Sequence, residues 1–141
     1  MEGKTPSEAF PPIGTVENPA IFSDGYDLLV CYEIAPSGGG GNAILAFTTV
    51  TYFEQNPNNV HEGLRNARYP HRPWDFTEVI GSDRNRSSEW SESRFWTISF
   101  NDVMVEIVFS KVSLIHRALD PVLPHIALLN FLGTEHKPAD R

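Results

Sequence analysis

The side chains best suited to recognition fall in two stretches: Arg65, Arg68, Tyr69, His71, Arg72 and Trp74, then Arg84, Arg86, Trp90 and Arg94. They make the one locally basic section of an acidic chain. Arginine presents a planar fork of donors, and arginine and tryptophan are enriched where binding energy concentrates. The pattern predicts a recognition surface formed by two loops beside a sheet. Its candidate binding residues are Arg68, Tyr69, His71, Arg72, Trp74, Arg84, Arg86, Trp90 and Arg94. The plainer reading, which the excess of acids favours, pairs the arginines with carboxylates and lets Trp74 and Trp90 cap core edges.

Catalytic chemistry has less to stand on. His61-Glu62 lacks the second histidine of a metalloprotease helix. His61, His71, Glu62 and Asp75 would hold a metal only if a loop-rich segment gathered them, and no metal or cofactor is expected. Glu33, Glu54, Glu78 and Glu106 lie on predicted strands. Paired acids need a shared cavity, whereas Glu33 and Glu106 fall on outward faces, which predicts solvated or cross-strand-paired roles. A buried pair with displaced pKa values would reverse that expectation. No Gly-x-Ser-x-Gly elbow is present. Gly38 to Gly41 precede a β-branched and aromatic run rather than a helix, so they predict a hairpin tip and not a phosphate cradle. Asn85-Arg86-Ser87 matches a glycosylation acceptor by chance.

The clearest structural element is Arg94 to Phe109. A two-residue Asn101-Asp102 loop would pair Phe100 with Val103, Ile98 with Val105 and Trp96 with Ile107, placing six apolar side chains on one face. Thr97, Ser99, Met104, Glu106, Phe95 and Val108 would take the other face, with the C-terminal segment or a partner covering Phe95 and Val108. Upstream, Tyr26 to Ala35 reads as a strand with Tyr26, Leu28, Val30, Tyr32 and Ile34 inward. Asn42 to Phe53 reads as one long central strand antiparallel to it, with Leu45, Phe47, Thr49, Thr51 and Phe53 or the alternate set inward. Asn59 would cap a short helix ending before Pro70. Pro73 to Ile80 is a third strand, and Ser110 to His116 extends the last one. Residues 124–132 fit a short helix with Gly133 just past its end and Ile126, Leu129 and Leu132 on one face, although a strand remains open.

These elements predict a mainly β fold. It would be a single antiparallel β-meander sheet of about five strands, curled into a half-barrel or sandwich, with one or two short helices. Residues 1–20 would form an extended arm pinned by Phe10 and Ile13, 21–133 one domain, and 134–141 a frayed tail.

With 141 residues the chain is long enough to bury a core without staples. Its net charge is −7, of which residues 1–70 carry −5. Such a balance argues against nucleic-acid binding, where phosphate contacts dominate affinity. The lone Cys31 excludes a disulfide framework, and no apolar run approaches the ~20 residues that span a bilayer. With no signal-peptide pattern at the N-terminus, a cytoplasmic protein without membrane partners is expected. In compactness, acidity and lack of a catalytic pattern the chain resembles small bacterial β-rich proteins, toxin-neutralising immunity proteins among them, in general style and in no specific motif. That resemblance implies a protein partner, and for a basic one an acidic face drawn from Asp27, Glu33 and Glu54. The leading expectation is a non-enzymatic protein-binding module. The alternative is a small-ligand or enzymatic pocket lined by Tyr32, Tyr52, Phe53 and Trp96 in the mouth of the curled sheet. Homo-oligomerisation through a strand edge is a third.

Overall fold

The computed structural model describes residues 1–57, 68–85 and 93–135. The expected helix from Asn59, together with Arg65, Arg86 and Trp90, lies outside them. Over the described residues the chain is mainly β: antiparallel strands in a five-stranded and a four-stranded sheet, packed as a sandwich, with one α-helix.

The Arg94–Phe109 hairpin takes the register its alternation demands. Strand β7 (Arg94–Ser99) pairs with β8 (Val103–Phe109), with Trp96 opposite Ile107 and Ile98 opposite Val105. The turn closes where Phe100 N–H donates to the Val103 carbonyl at 2.9 Å. Asn18 braces it from the N-terminal arm, donating to Asp102 Oδ2 at 2.8 Å and accepting from Asp102 N–H at 2.8 Å. To this hairpin β6 (Phe76–Ile80) adds beside β7, with β1 (Glu2–Lys4) beyond it; β5 (Tyr52–Pro57) adds on the far side of β8. The second sheet runs β2 (Ala20–Ser23), β3 (Leu28–Glu33), β4 (Asn42–Thr48), β9 (Lys111–Ala118).

Strands among the described residues number nine rather than about five: two runs that look continuous in sequence each serve both sheets, and the N-terminal segment expected to be an extended arm adds β1 and leads into β2. Asn42 to Phe53 is not one strand. The backbone turns at Thr49, whose φ of 52° is left-handed, so β4 joins one sheet and β5 the other. The turn preceding β3 grips this corner: Thr49 N–H donates to Asp27 Oδ1 at 3.3 Å and Val50 N–H to the Tyr26 carbonyl at 2.9 Å. Tyr26 is therefore an exposed turn residue, not the inward start of a strand. The matching break at Ser110 sends β8 into β9, which crosses to pair with β4 instead of extending the hairpin. Ile115 is the extra residue of a bulge in that ladder: Ile44 faces His116 and Leu45 faces Leu114.

Between the sheets lies one aromatic core. Leu28, Val30, Tyr32 and Ile34 meet Ala43, Leu45 and Phe47 from one side and Trp96, Ile98, Phe100, Val105, Ile107 and Phe109 from the other. Trp96 has Phe47 and Phe109 edge-on at 5.7 and 5.4 Å. Phe10 and Ile13 of the arm also pack into this core.

Helix α1 (Pro124–Glu135) begins at the proline, and Gly133 lies inside it rather than past its end. Ala127 and Leu128 press on Cys31 and Ile44 across the outer face of the four-stranded sheet, with Phe131 and Leu132 partly buried beside them. Of the face expected to be buried, Leu132 is partly covered and the Leu128 beside it more fully, whereas Ile126 and Leu129 are exposed. A helix apolar on every side gives periodicity nothing to choose by. Nor does α1 reach the outer face of the hairpin, where Tyr69 instead covers Phe95, Val79 and Val108.

Candidate functional site

The seven described residues of the expected recognition surface separate into three groups. Arg94 clamps the arm to the sheet. Its guanidinium donates to both Glu8 oxygens at 2.7 and 2.8 Å and to both Glu78 oxygens at 2.9 and 2.8 Å. The Arg94 hydrogen bonds hold the Glu8 carboxyl at about 2, against an ordinary 4.5. Arg72 does similar work lower on the same edge, bonding Thr5 Oγ1, Thr77 Oγ1 and the Phe76 carbonyl, with Asp75 at 3.7 Å. The Arg94 pairs are strong because donor and acceptors are both charged, whereas Arg72 bonds neutral oxygens. Here both arginines fasten the N-terminal segment and have little guanidinium left for a ligand.

Arg68, Tyr69 and Arg84 do come together, on the outer face of the five-stranded sheet. Arg84 lies over the rings of Tyr52 and Tyr69, at 4.1 and 4.5 Å from their centres. Its Nη2 donates to the Tyr52 hydroxyl at 3.1 Å, and that hydroxyl donates to Glu54 Oε2 at 2.6 Å. Nη1 stands 3.1 Å from Glu106 Oε2 but off the hydrogen-bonding line, so this contact is an ion pair with an unaligned donor. Tyr69 donates to Asp83 Oδ1 at 2.8 Å, and Arg68 to Asp83 Oδ2 at 2.8 Å.

Glu106 is the member of this group whose burial sequence reasoning did not anticipate. It sits on the outward side of the hairpin as expected, yet it is 5% exposed. Directly opposite on β5 is Glu54. Burial pushes the Glu106 carboxyl above the ordinary carboxylate range. Glu54, bonded by the Tyr52 hydroxyl, falls to about 2. Two adjacent acids with pKa values driven apart, Glu106 buried and Glu54 half-exposed, are an arrangement of the kind associated with acid–base chemistry. The hydrophobic alternation around Glu106 announced its face but not its lid, because Arg84 and Tyr69 come from a distant loop.

His71 donates from Nδ1 toward the Tyr69 carbonyl at 3.1 Å, and Trp74 is 42% exposed with a left-handed φ of 50°. His71 has no metal-binding companions: no cluster of His, Cys, Asp or Glu among the described residues would hold a metal. Cys31 is buried under α1 and its thiol is raised to about 12 by that burial, which removes it as a nucleophile.

Other expected surfaces do not assemble. Tyr32 and Trp96 are wholly buried in the core. Tyr52 and Phe53 do border an open cleft of about 520 Å³, shared with Tyr26, Leu28 and Val50. Asp27 and Glu33 flank opposite ends of β3, with Glu33 Oε1 accepting from Val16 N–H, while Glu54 stands on the other sheet.

The C-terminal third carries a feature the sequence did not advertise. Leu114, Ile115, Leu119, Val122, Leu123, Ile126 and Leu129 are all exposed, Leu119 at 76% and Leu129 at 62%. No helix among the described residues is long and apolar enough to cross a membrane. No protein family model, curated protein or solved structure matches this chain.

Proposed function

We propose that this chain is a non-enzymatic protein-binding module whose partner docks on β9, the following loop and α1. The observation that carries this reading is the run of seven exposed large apolar side chains between Leu114 and Leu129. Single exposed leucines are ordinary, but a run of them on one segment marks surface that gains by being covered. The partner is apolar where it meets α1. A basic partner of the immunity-protein kind finds no common acidic face in Asp27, Glu33 and Glu54.

A photo-crosslinking residue at position 129, in the full chain and in cells of its native host, tests the reading. It predicts a discrete adduct that Ile126→Glu abolishes without unfolding the chain. Adducts no different from those formed at an exposed position elsewhere, such as Tyr26, overturn it.

The Glu54–Glu106 pair supports a second reading, an acid–base or polar-ligand site beneath Arg84. A substrate screen in which Glu106→Gln and Arg84→Met abolish a turnover that Leu129→Glu leaves intact would favour it over the first.

A further inference from the structure

The two sheets end in four edge strands, and they are unequally protected. β1 has three residues and β2 four, too short to template another chain. β5 carries Glu54 and ends in Pro57. Among the described residues β9 is the longest strand, at eight residues, and β4 alone pairs with it. It contains no proline, and its one irregularity is the bulge at Ile115, which shifts the alternation of faces by one residue so that Ser113 and His116 share a face, as do Val112 and Arg117. Its formal charges, Lys111 and Arg117, stand near its ends, and Arg117 donates to the Gly38 carbonyl, which turns its guanidinium toward the glycine loop. The middle of the strand, Val112 to Ile115, is apolar but for Ser113, and Leu114 and Ile115 are 40% and 43% exposed. Long apolar edges of this kind pair with further strands unless something guards them.

We infer that β9 pairs with β9 of a second copy, antiparallel across a two-fold axis, joining the two four-stranded sheets into one of eight. The inference rests on the reading that the C-terminal third is the binding surface, and it names the partner for the strand portion. Charge decides for a second copy over an unrelated strand. When Leu114 stands opposite Ile115 of the second copy, Ser113 meets His116, Val112 meets Arg117 and Lys111 meets Ala118. No like charges face each other. Asp120, two residues past the end of β9, then follows the position that faces Lys111 of the other copy and pairs with that lysine. The two-fold axis makes this ion pair twice. A two-fold interface uses one patch for both partners, so this single strand is sufficient.

Sedimentation velocity of the full chain over a wide concentration range tests it. A species of twice 15.8 kDa is expected. Ile115→Lys should weaken the dimer by roughly tenfold or more with an unchanged circular dichroism spectrum. Lys111→Asp should weaken it as well, and Lys111→Asp with Asp120→Lys should restore it. A monomer at every concentration, a dimer indifferent to Ile115→Lys, or a double variant that stays weak each overturns the inference. A monomer whose position 129 still forms its discrete adduct defeats the pairing alone and leaves the protein-binding reading standing. Loss of both defeats both.

Discussion

Glu8 and Glu106 are the same side chain in opposite environments, and their effects on stability run in opposite directions with pH. Glu8 is held at about 2 by Arg94, so its contribution is present above about 4.5 and is lost as the pH falls toward 2. Charge-assisted hydrogen bonds at a partly exposed site are worth about 1–2 kcal/mol after solvent screening. Glu8→Gln should therefore lose about that much in urea denaturation at neutral pH, and lose progressively less relative to wild type in acid. Glu106 is raised, so the stability linked to its protonation is present below the ordinary glutamate range and declines as pH rises through the raised value. Glu106→Gln, a permanent mimic of the protonated acid, should gain relative to wild type as the pH rises above the ordinary glutamate range. A variant that loses ground over that rise would contradict the direction. The sequence shows these side chains but not their partners. Glu8 lies 86 residues from Arg94, and the lid over Glu106 comes from Tyr69 and Arg84. Residue type ranks arginines as candidates; only the fold reveals that Arg72 and Arg94 are spent on the arm.

Among the elements, legibility depends on whether alternation has one solution. The β7–β8 hairpin was readable because a one-residue slip would mix its faces and its loop is two residues long. The β4–β5 corner was not, because no glycine or proline marks it; a threonine takes the left-handed φ. Thr49→Gly removes that steric cost and, net of the added flexibility of the unfolded chain, should raise stability by up to about 1 kcal/mol. A fall in Tm would show that the Thr49 side chain contributes more than its strain costs. Helix α1 was readable as an element but not in its orientation. Leu128→Ala should cost about 2–4 kcal/mol, as for a leucine facing a packed sheet. Leu129→Glu should stay within about 0.5 kcal/mol of wild type, as for an exposed position. Reversal of that order in thermal melts would mean that α1 sits with its other face inward.

At the scale of the whole molecule, a mainly β sandwich followed from turn-rich composition and aromatic strands, whereas the surface did not. Hydrophobic residues inside is a one-way rule. Ile126 and Leu129 read as a helix's covered face in sequence and stand in solvent in the fold, as do Leu119 and Leu123. That mismatch carries the account. A −7 charge keeps molecules apart in general, yet the apolar segment from Leu114 to Leu129 offers a surface for specific association. The most direct measurement is position-specific photo-crosslinking at Leu129 in cells of the native host, read against Tyr26 as an exposed control. The account predicts a discrete adduct at position 129 that disappears in Ile126→Glu while the melting curve is unchanged. The same pattern of adducts at both positions, indifferent to Ile126→Glu, would contradict it.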